Sequence, residues 1–193
     1  MRLKQWCEDN GYSLLDTLPS NWDRYQDWLP SVTTILKLIQ DPWFEYVKRN
    51  HAGALETARI RWTITHKESE DFFNWESDTV HKQIMKFHTL YDVTIIGQEV
   101  NFKKDIQWTI DLMAHIGSII DTDMNIDYKP KTKSKKYFIQ WWWYEYLNWL
   151  KSGILYLDKN DYKFEVVTTW YLELFIELKD YFLTLLNNDN RDI

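Results

Sequence analysis

The chain of 193 residues suits one domain, a sheet covered by helices, and its 5 Gly and 4 Pro leave little material for a linker to a second. The single cysteine, Cys7, excludes an intramolecular disulfide framework and a four-cysteine zinc or iron–sulfur site, which points to a reducing compartment. A formal net charge of −6 excludes a protein that coats nucleic acid by bulk electrostatics, but not an enzyme whose carboxylates hold divalent cations.

Residues 1–30 mix polar and aromatic side chains, with a turn near Leu18-Pro19-Ser20-Asn21, and read as an N-terminal extension to a core over 31–193. They contain no uninterrupted apolar run, so neither a signal peptide nor a membrane-spanning segment is expected. The cytoplasm is the expected location (host cytoplasm for a viral protein). Ser31 or Thr33 is placed to cap a helix through Val32, Ile35, Leu36 and Ile39, and Asp41-Pro42 opens another. Longer helical stretches follow over 52–75 and 78–90. The period then changes. Val93, Ile95, Val100 and Phe102 alternate with other residues around Gly97, and Trp108, Ile110, Leu112 and Ala114 alternate with Thr109, Asp111, Met113 and His115. Gly117-Ser118 marks a turn, and a third strand ends at Ile126-Asp127-Tyr128-Lys129, closed by Pro130.

A run of Lys129, Lys131, Lys133, Lys135 and Lys136 follows, whose ordinary reading is a solvated loop. An aromatic helix is expected over 137–150, ending near Lys151-Ser152-Gly153. Two short strands (154–157 and 162–168) and an amphipathic helix (170–186) complete the chain. Helices, three strands, a helix, two strands and a helix make a mixed α/β domain, a central mixed β-sheet flanked by helices on both faces. Trp141, Trp142 and Trp143 point in three directions from their helix. Core packing explains most of them, leaving one or two as candidates to stack on unpaired bases.

A hydrolytic nuclease brings water to a phosphodiester and stabilises the charge that builds on phosphorus and the leaving oxygen. Carboxylates holding Mg²⁺ or Mn²⁺, with a lysine nearby to orient the water, do this. Asp127 and Lys129, at i and i+2 of a strand, project from one face about 7 Å apart, and a hairpin would bring Asp111 beside them. The acidic-x-Lys pattern by itself is not specific, because it recurs at Asp161/Lys163 and Glu177/Lys179. The first copy differs in its surroundings: a strand with an acidic residue precedes it, and a helix with Gln140 and Tyr144 on one face follows. Upstream, His66 and Glu70 share the i, i+4 spacing.

In that order these residues resemble the RecB-like branch of the PD-(D/E)XK nuclease superfamily, which includes CRISPR-adaptation nucleases, phage exonucleases and the mitochondrial genome-maintenance exonuclease. The matching residues are His66, Asp111, Asp127 with Lys129, and Gln140 with Tyr144. Pro30-Ser31-Val32-Thr33 is similar to the segment that opens many phage-type members, so the resemblance spans about Leu29 to Leu150. It implies a restriction-endonuclease-like fold without an iron–sulfur cluster. It further implies an Mg²⁺- or Mn²⁺-dependent deoxyribonuclease with His66, Asp111, Asp127 and the Tyr128 main-chain carbonyl as metal ligands. Lys129 would be the catalytic lysine, and Gln140 and Tyr144 would line the DNA path. Glu99 is a further acidic candidate. Single strands or DNA ends are the implied substrate, and the small size fits a viral, phage or mobile-element product or a repair accessory. The chain departs from the family pattern at two glycine positions, which are Trp108 and Thr63 here. A Trp beside the site would close off the usual approach of duplex DNA.

Each residue also has an ordinary role: a surface histidine, a strand-edge ion pair, a packing glutamine. Two other functions compete with the nuclease: a catalytically silent relative that binds nucleic acid or a protein partner, and an interaction domain anchored by its 12 Trp and 12 Tyr.

Overall fold

The computed structural model describes residues 2–19, 29–73, 82–118, 120–130, 134–158, 160–167 and 171–189. The expectations that fell on Ser20, Asn21, Trp75, Asp78, Lys131, Lys133, Thr168 and Trp170 lie outside these residues. Elements follow in the order α1 (Arg2–Asp9), β1 (Ser13–Leu14), α2 (Val32–Leu36), β2 (Ile39–Gln40), α3 (Pro42–Asn50), α4 (Ala52–Phe73) and α5 (Lys82–Tyr91). Then come β3 (Val93–Lys103), β4 (Gln107–Ile116), β5 (Thr122–Pro130), α6 (Lys136–Asn148), β6 (Lys151–Leu157), β7 (Tyr162–Val166) and α7 (Leu172–Asn188). Five strands form one mixed sheet in the order β3-β4-β5-β6-β7, antiparallel except for the parallel pair β5–β6, whose connection is α6.

Two apolar clusters sandwich this sheet. One joins α1, α2, α6 and α7 to one face, and the other packs α5 on the opposite face. β6 lies between them: Ile154 and Tyr156 enter the first cluster, Leu155 and Leu157 the second. Burial on both faces is the ordinary condition of a parallel-paired strand. β4 behaves differently. Trp108 and Ile110 belong to the first cluster, Leu112, Ala114 and Ile116 to the second. A straight strand would put all five on one side, so β4 turns over at Asp111.

Local chemistry accounts for several boundaries. Ser31 Oγ accepts the Thr34 N–H at 3.1 Å to start α2, and Asp41 Oδ1 accepts from Trp43 and Phe44 ahead of Pro42 in α3. Helix α2 stops at Leu36 instead of reaching Ile39, because Ile39 is taken into β2 against Leu14. The N-terminal segment, read as an extension, supplies core. Leu3 and Cys7, one helical turn apart on α1, are fully buried, and the Leu3 N–H donates to Glu177 Oε2 at 2.9 Å. Its three apolar residues in eight, Leu3, Trp6 and Cys7, make too short a pattern to announce a helix. Trp141, Trp142 and Trp143 are all buried; Trp141 meets Tyr144 edge-on and Trp143 stacks on Phe175 at 4.6 Å.

Helix α6 ends before the Lys151-Ser152-Gly153 stop expected for it, because Lys151 already pairs with Met124 to begin β6. Its cap is Trp149, in the left-handed region (φ 62°) and 86% exposed. Glycine takes that conformation without the Cβ clash. Trp149→Gly should raise stability by about 0.5–1 kcal/mol, read as a higher midpoint in urea. An unchanged or lower midpoint would mean that the indole makes a compensating contact.

On the other side, His88 of α5 stacks on Phe73 at 4.4 Å, and its Nε2 is buried without a hydrogen-bond partner. Burial pushes its pKa from 6.5 down to about 4. The fold therefore favours neutral His88. That contribution is complete above pH 6.5 and is lost as pH falls toward 4, because the unfolded chain takes up the proton first. The loss should be on the order of 3 kcal/mol. His88→Gln should flatten the fall in unfolding free energy over that window, and an equally steep fall in the variant would show that other groups cause it.

Candidate metal centre

The site begins where a ladder ends. β4 and β5 pair from Ile116↔Thr122 to Leu112↔Ile126 and no further, while β5 continues to pair with β6 as far as Pro130. Past the fork, the Tyr128 N–H that another rung would use is taken by the Asp111 side chain, whose Oδ2 accepts it at 2.8 Å. This is also where β4 turns over. An extended residue turns its N–H and C=O to the same side, so the Tyr128 carbonyl expected as a ligand faces the same gap.

Asp127 and Lys129 project together from β5, as their spacing predicts. Asp127 is 2% exposed and its Oδ2 is paired directly with Lys129 Nζ. The ammonium lies under the rings of Tyr137 and Trp141 from α6, at 5.3 and 5.9 Å. Burial and the charge of Asp111 push the Asp127 carboxyl above the ordinary range, against the pull of Lys129 and His66. Burial alone would lower the Lys129 pKa, yet Asp127 and Asp111 carry it upward. The pocket holds more negative charge than its own cations balance.

His66 reaches the site from α4. Its Nε2 lies 4.0 Å from Asp111 Oδ2 and its Nδ1 lies 3.8 Å from Glu99 Oε1. The ring is positioned edge-on to Trp62 and Tyr128. Burial opposes its protonation, but Glu99, Asp111 and Asp127 together raise its pKa. Glu99 sits on β3 between the pairs Gln98↔Leu112 and Val100↔Ile110, which places it opposite Asp111. Its φ of 44° is left-handed, an uncommon conformation for a residue with a Cβ, and strained backbone of this kind concentrates at functional sites.

His66, Glu99 and Asp111 each offer a ligand atom within 4.8 Å of the others. The fit to a cation rests on His66 Nε2, which is buried and makes no hydrogen bond. At 4.0 Å it is too far from Asp111 Oδ2 for a hydrogen bond. A divalent cation held by His66, Glu99 and Asp111 would supply the partner that Nε2 lacks. One imidazole among carboxylates suits Mg²⁺ or Mn²⁺ at least as well as a softer ion.

A cavity of about 560 Å³ opens over Asp111, Asp127 and Lys129. Gln140 and Tyr144 line it from α6, and the Gln140 amide donates to the Tyr144 hydroxyl at 2.5 Å. Burial, with the charge of Asp127, holds that hydroxyl well above its usual pKa. Asp111, Asp127, Lys129, Gln140 and Tyr144 line this cavity, and His66 and Glu99 adjoin it beside Asp111. Glu70 does not: it pairs with Lys67 on the surface of α4. The other acidic-x-Lys copies have separate partners. Lys163 pairs with Glu165, Glu177 accepts from Leu3, and Lys179 pairs with Asp105. The sequence reading missed Phe102, which lines the cavity and stacks on Trp108 at 5.1 Å. Only its place opposite Trp108 in the β3–β4 register could have identified it.

No protein-family model matches the chain, and no curated protein matches it. Among solved structures, the crystal structure of SSO0001 aligns with a TM-score of 0.45 and 13% identity, over 95% of this chain and 84% of that one. Among the described residues no helix is long and apolar enough to cross a membrane.

Proposed function

We propose that the chain is a metal-dependent nuclease that hydrolyses DNA phosphodiester bonds, with Asp111, Asp127 and Lys129 at the centre of its site. The observation that carries this reading is the convergence of His66, Glu99 and Asp111 within 4.8 Å, beside the buried Asp127–Lys129 pair, with Asp111, Asp127 and Lys129 lining one cavity. The resemblance of the ordered motif to RecB-like PD-(D/E)XK nucleases supports it further.

When bound there, Mg²⁺ or Mn²⁺ would polarise a phosphate oxygen and offset the charge of the transition state. His66, Asp111 and Glu99 would hold the ion, with Asp127 adding charge from β5. Lys129, fixed by Asp127 and walled by Tyr137 and Trp141, donates hydrogen bonds toward the attacking water or a phosphate oxygen. Gln140 and Tyr144 offer an amide and a hydroxyl along the strand's path.

The test is incubation with end-labelled single-stranded and duplex DNA in Mg²⁺, Mn²⁺ or EDTA, beside Lys129→Ala. Cutting that requires the metal and disappears in the variant is expected, and the product ladder reports whether it starts at ends. Folded protein that cuts no substrate in either metal would replace this reading with a nuclease-fold protein that only binds nucleic acid or a protein partner.

A further inference from the structure

Phe102 and Trp108 face each other across β3 and β4 with ring planes 6° apart. Cross-strand aromatic pairs are a common way to stabilise a sheet, and for Trp108, which is 7% exposed and part of the core, that account is sufficient. It is incomplete for Phe102. This ring is half-buried at the outer end of the pair, on the wall of the cavity that holds Asp111 and Lys129. The cavity's rim near it is polar, with Ser31, Asn101, Lys103 and Thr109. An apolar flat wall edged by hydrogen-bonding groups matches a flat heteroaromatic ring that is apolar on its faces and polar at its edge.

Position and size narrow the ligand. Trp108 lies three residues before Asp111, about 10 Å along the strand, a span that a nucleotide next to the reacting phosphate can cover. About 560 Å³ suits a small-molecule-sized group. In a duplex the groove offers base edges only, and the faces are stacked on their neighbours. An unpaired base has a free face.

Resting on the nuclease reading above, we infer that Phe102, backed by Trp108, is the stacking surface for one unpaired base beside the cleaved phosphodiester. It thereby selects single strands. Trp108 acts as a positioning residue, holding the Phe102 ring flat against the cavity.

The test measures binding of a short single-stranded deoxyoligonucleotide by fluorescence anisotropy in Mg²⁺, in a Lys129→Ala background so that the strand is not consumed. A set of strands each lacking the base at one position, with every phosphate kept, is measured in parallel. Loss of the base at one position should weaken binding about ten- to a hundredfold. Phe102→Ala should weaken the intact strand by a similar factor and erase the difference between intact and abasic strands at that position. Phe102→Leu, which keeps the apolar volume, guards against a folding defect and should behave like the alanine variant. A variant that keeps the full intact-to-abasic ratio overturns the inference, because a purely structural ring has no coupling to the base. If the parent cuts DNA but shows no position-specific effect of base removal, the inference falls and the nuclease reading stands. If it neither cuts nor binds, both fall together.

Discussion

Lys129→Ala is expected to lower metal-dependent DNA cleavage by about 10²–10⁴-fold, the usual contribution of one positioned proton-handling group, while the protein remains folded. Among the described residues the ammonium is the one cation in an ion pair with Asp127, and the rings of Tyr137 and Trp141 flank it. Removing one partner of a buried ion pair typically costs about 3–5 kcal/mol, because the other charge is left uncompensated. Here the cost should be smaller. Burial and Asp111 already hold the Asp127 carboxyl above the ordinary range, so it can take up a proton when Lys129 is gone. Lys129→Arg separates charge from geometry. The guanidinium is planar and wider than an ammonium and cannot reproduce its point contact with Asp127, so most activity should still be lost. Single-turnover rates under saturating metal, beside thermal melts of each variant, make the measurement. Near-normal rates in Lys129→Ala would remove Lys129 from the chemistry.

Asp111→Asn should move stability and metal response in opposite directions. Without metal, Glu99 and Asp127 flank Asp111, and the charge of Asp111 pushes the buried Asp127 carboxyl up by repulsion. Asparagine removes a like charge and keeps an oxygen to accept the Tyr128 N–H. The metal-free variant should therefore melt about 3–6 °C higher, taking ~1–2 kcal/mol of relieved repulsion and the ordinary slope for a chain of this size. Mn²⁺ at a hundred times its dissociation constant should stabilise the parent by about 2.7 kcal/mol, and the variant by far less. An undiminished response to Mn²⁺ would place the ion away from Asp111. A lower melting point without metal would mean that the charged hydrogen bond to Tyr128 outweighs the repulsion. His66→Ala should share the loss of metal response without the gain in stability, since it removes no negative charge.

Most elements were legible because their signals are local. The alternation over Val93–Lys103 and Gln107–Ile116, the Asp41-Pro42 start of α3 and the Ser31 cap of α2 each rest on a few neighbouring residues. Helix α1 was not legible, because only Leu3, Trp6 and Cys7 mark its inner face over barely two turns, and what makes them core is contact with α7, far away in the chain. The stop of α6 was misplaced for a related reason. Lys151-Ser152-Gly153 has the composition of a helix end, but pairing with β5 makes it strand.

The site divides in the same way. By itself the sequence determined that Asp127 and Lys129 share a face, that Gln140 and Tyr144 share another, and that Asp111 lies on the strand before them. These follow from the periods of strand and helix, which act within a few residues. Only the tertiary structure decided which acidic-x-Lys copy is buried, that Glu99 stands opposite Asp111 with a left-handed backbone, and that Phe102 and Trp108 form one wall of the cavity. Strand register and the fork between β4 and β5 set those facts. Register depends on which apolar faces bury together across the whole sheet, and no local run of residues encodes that sum.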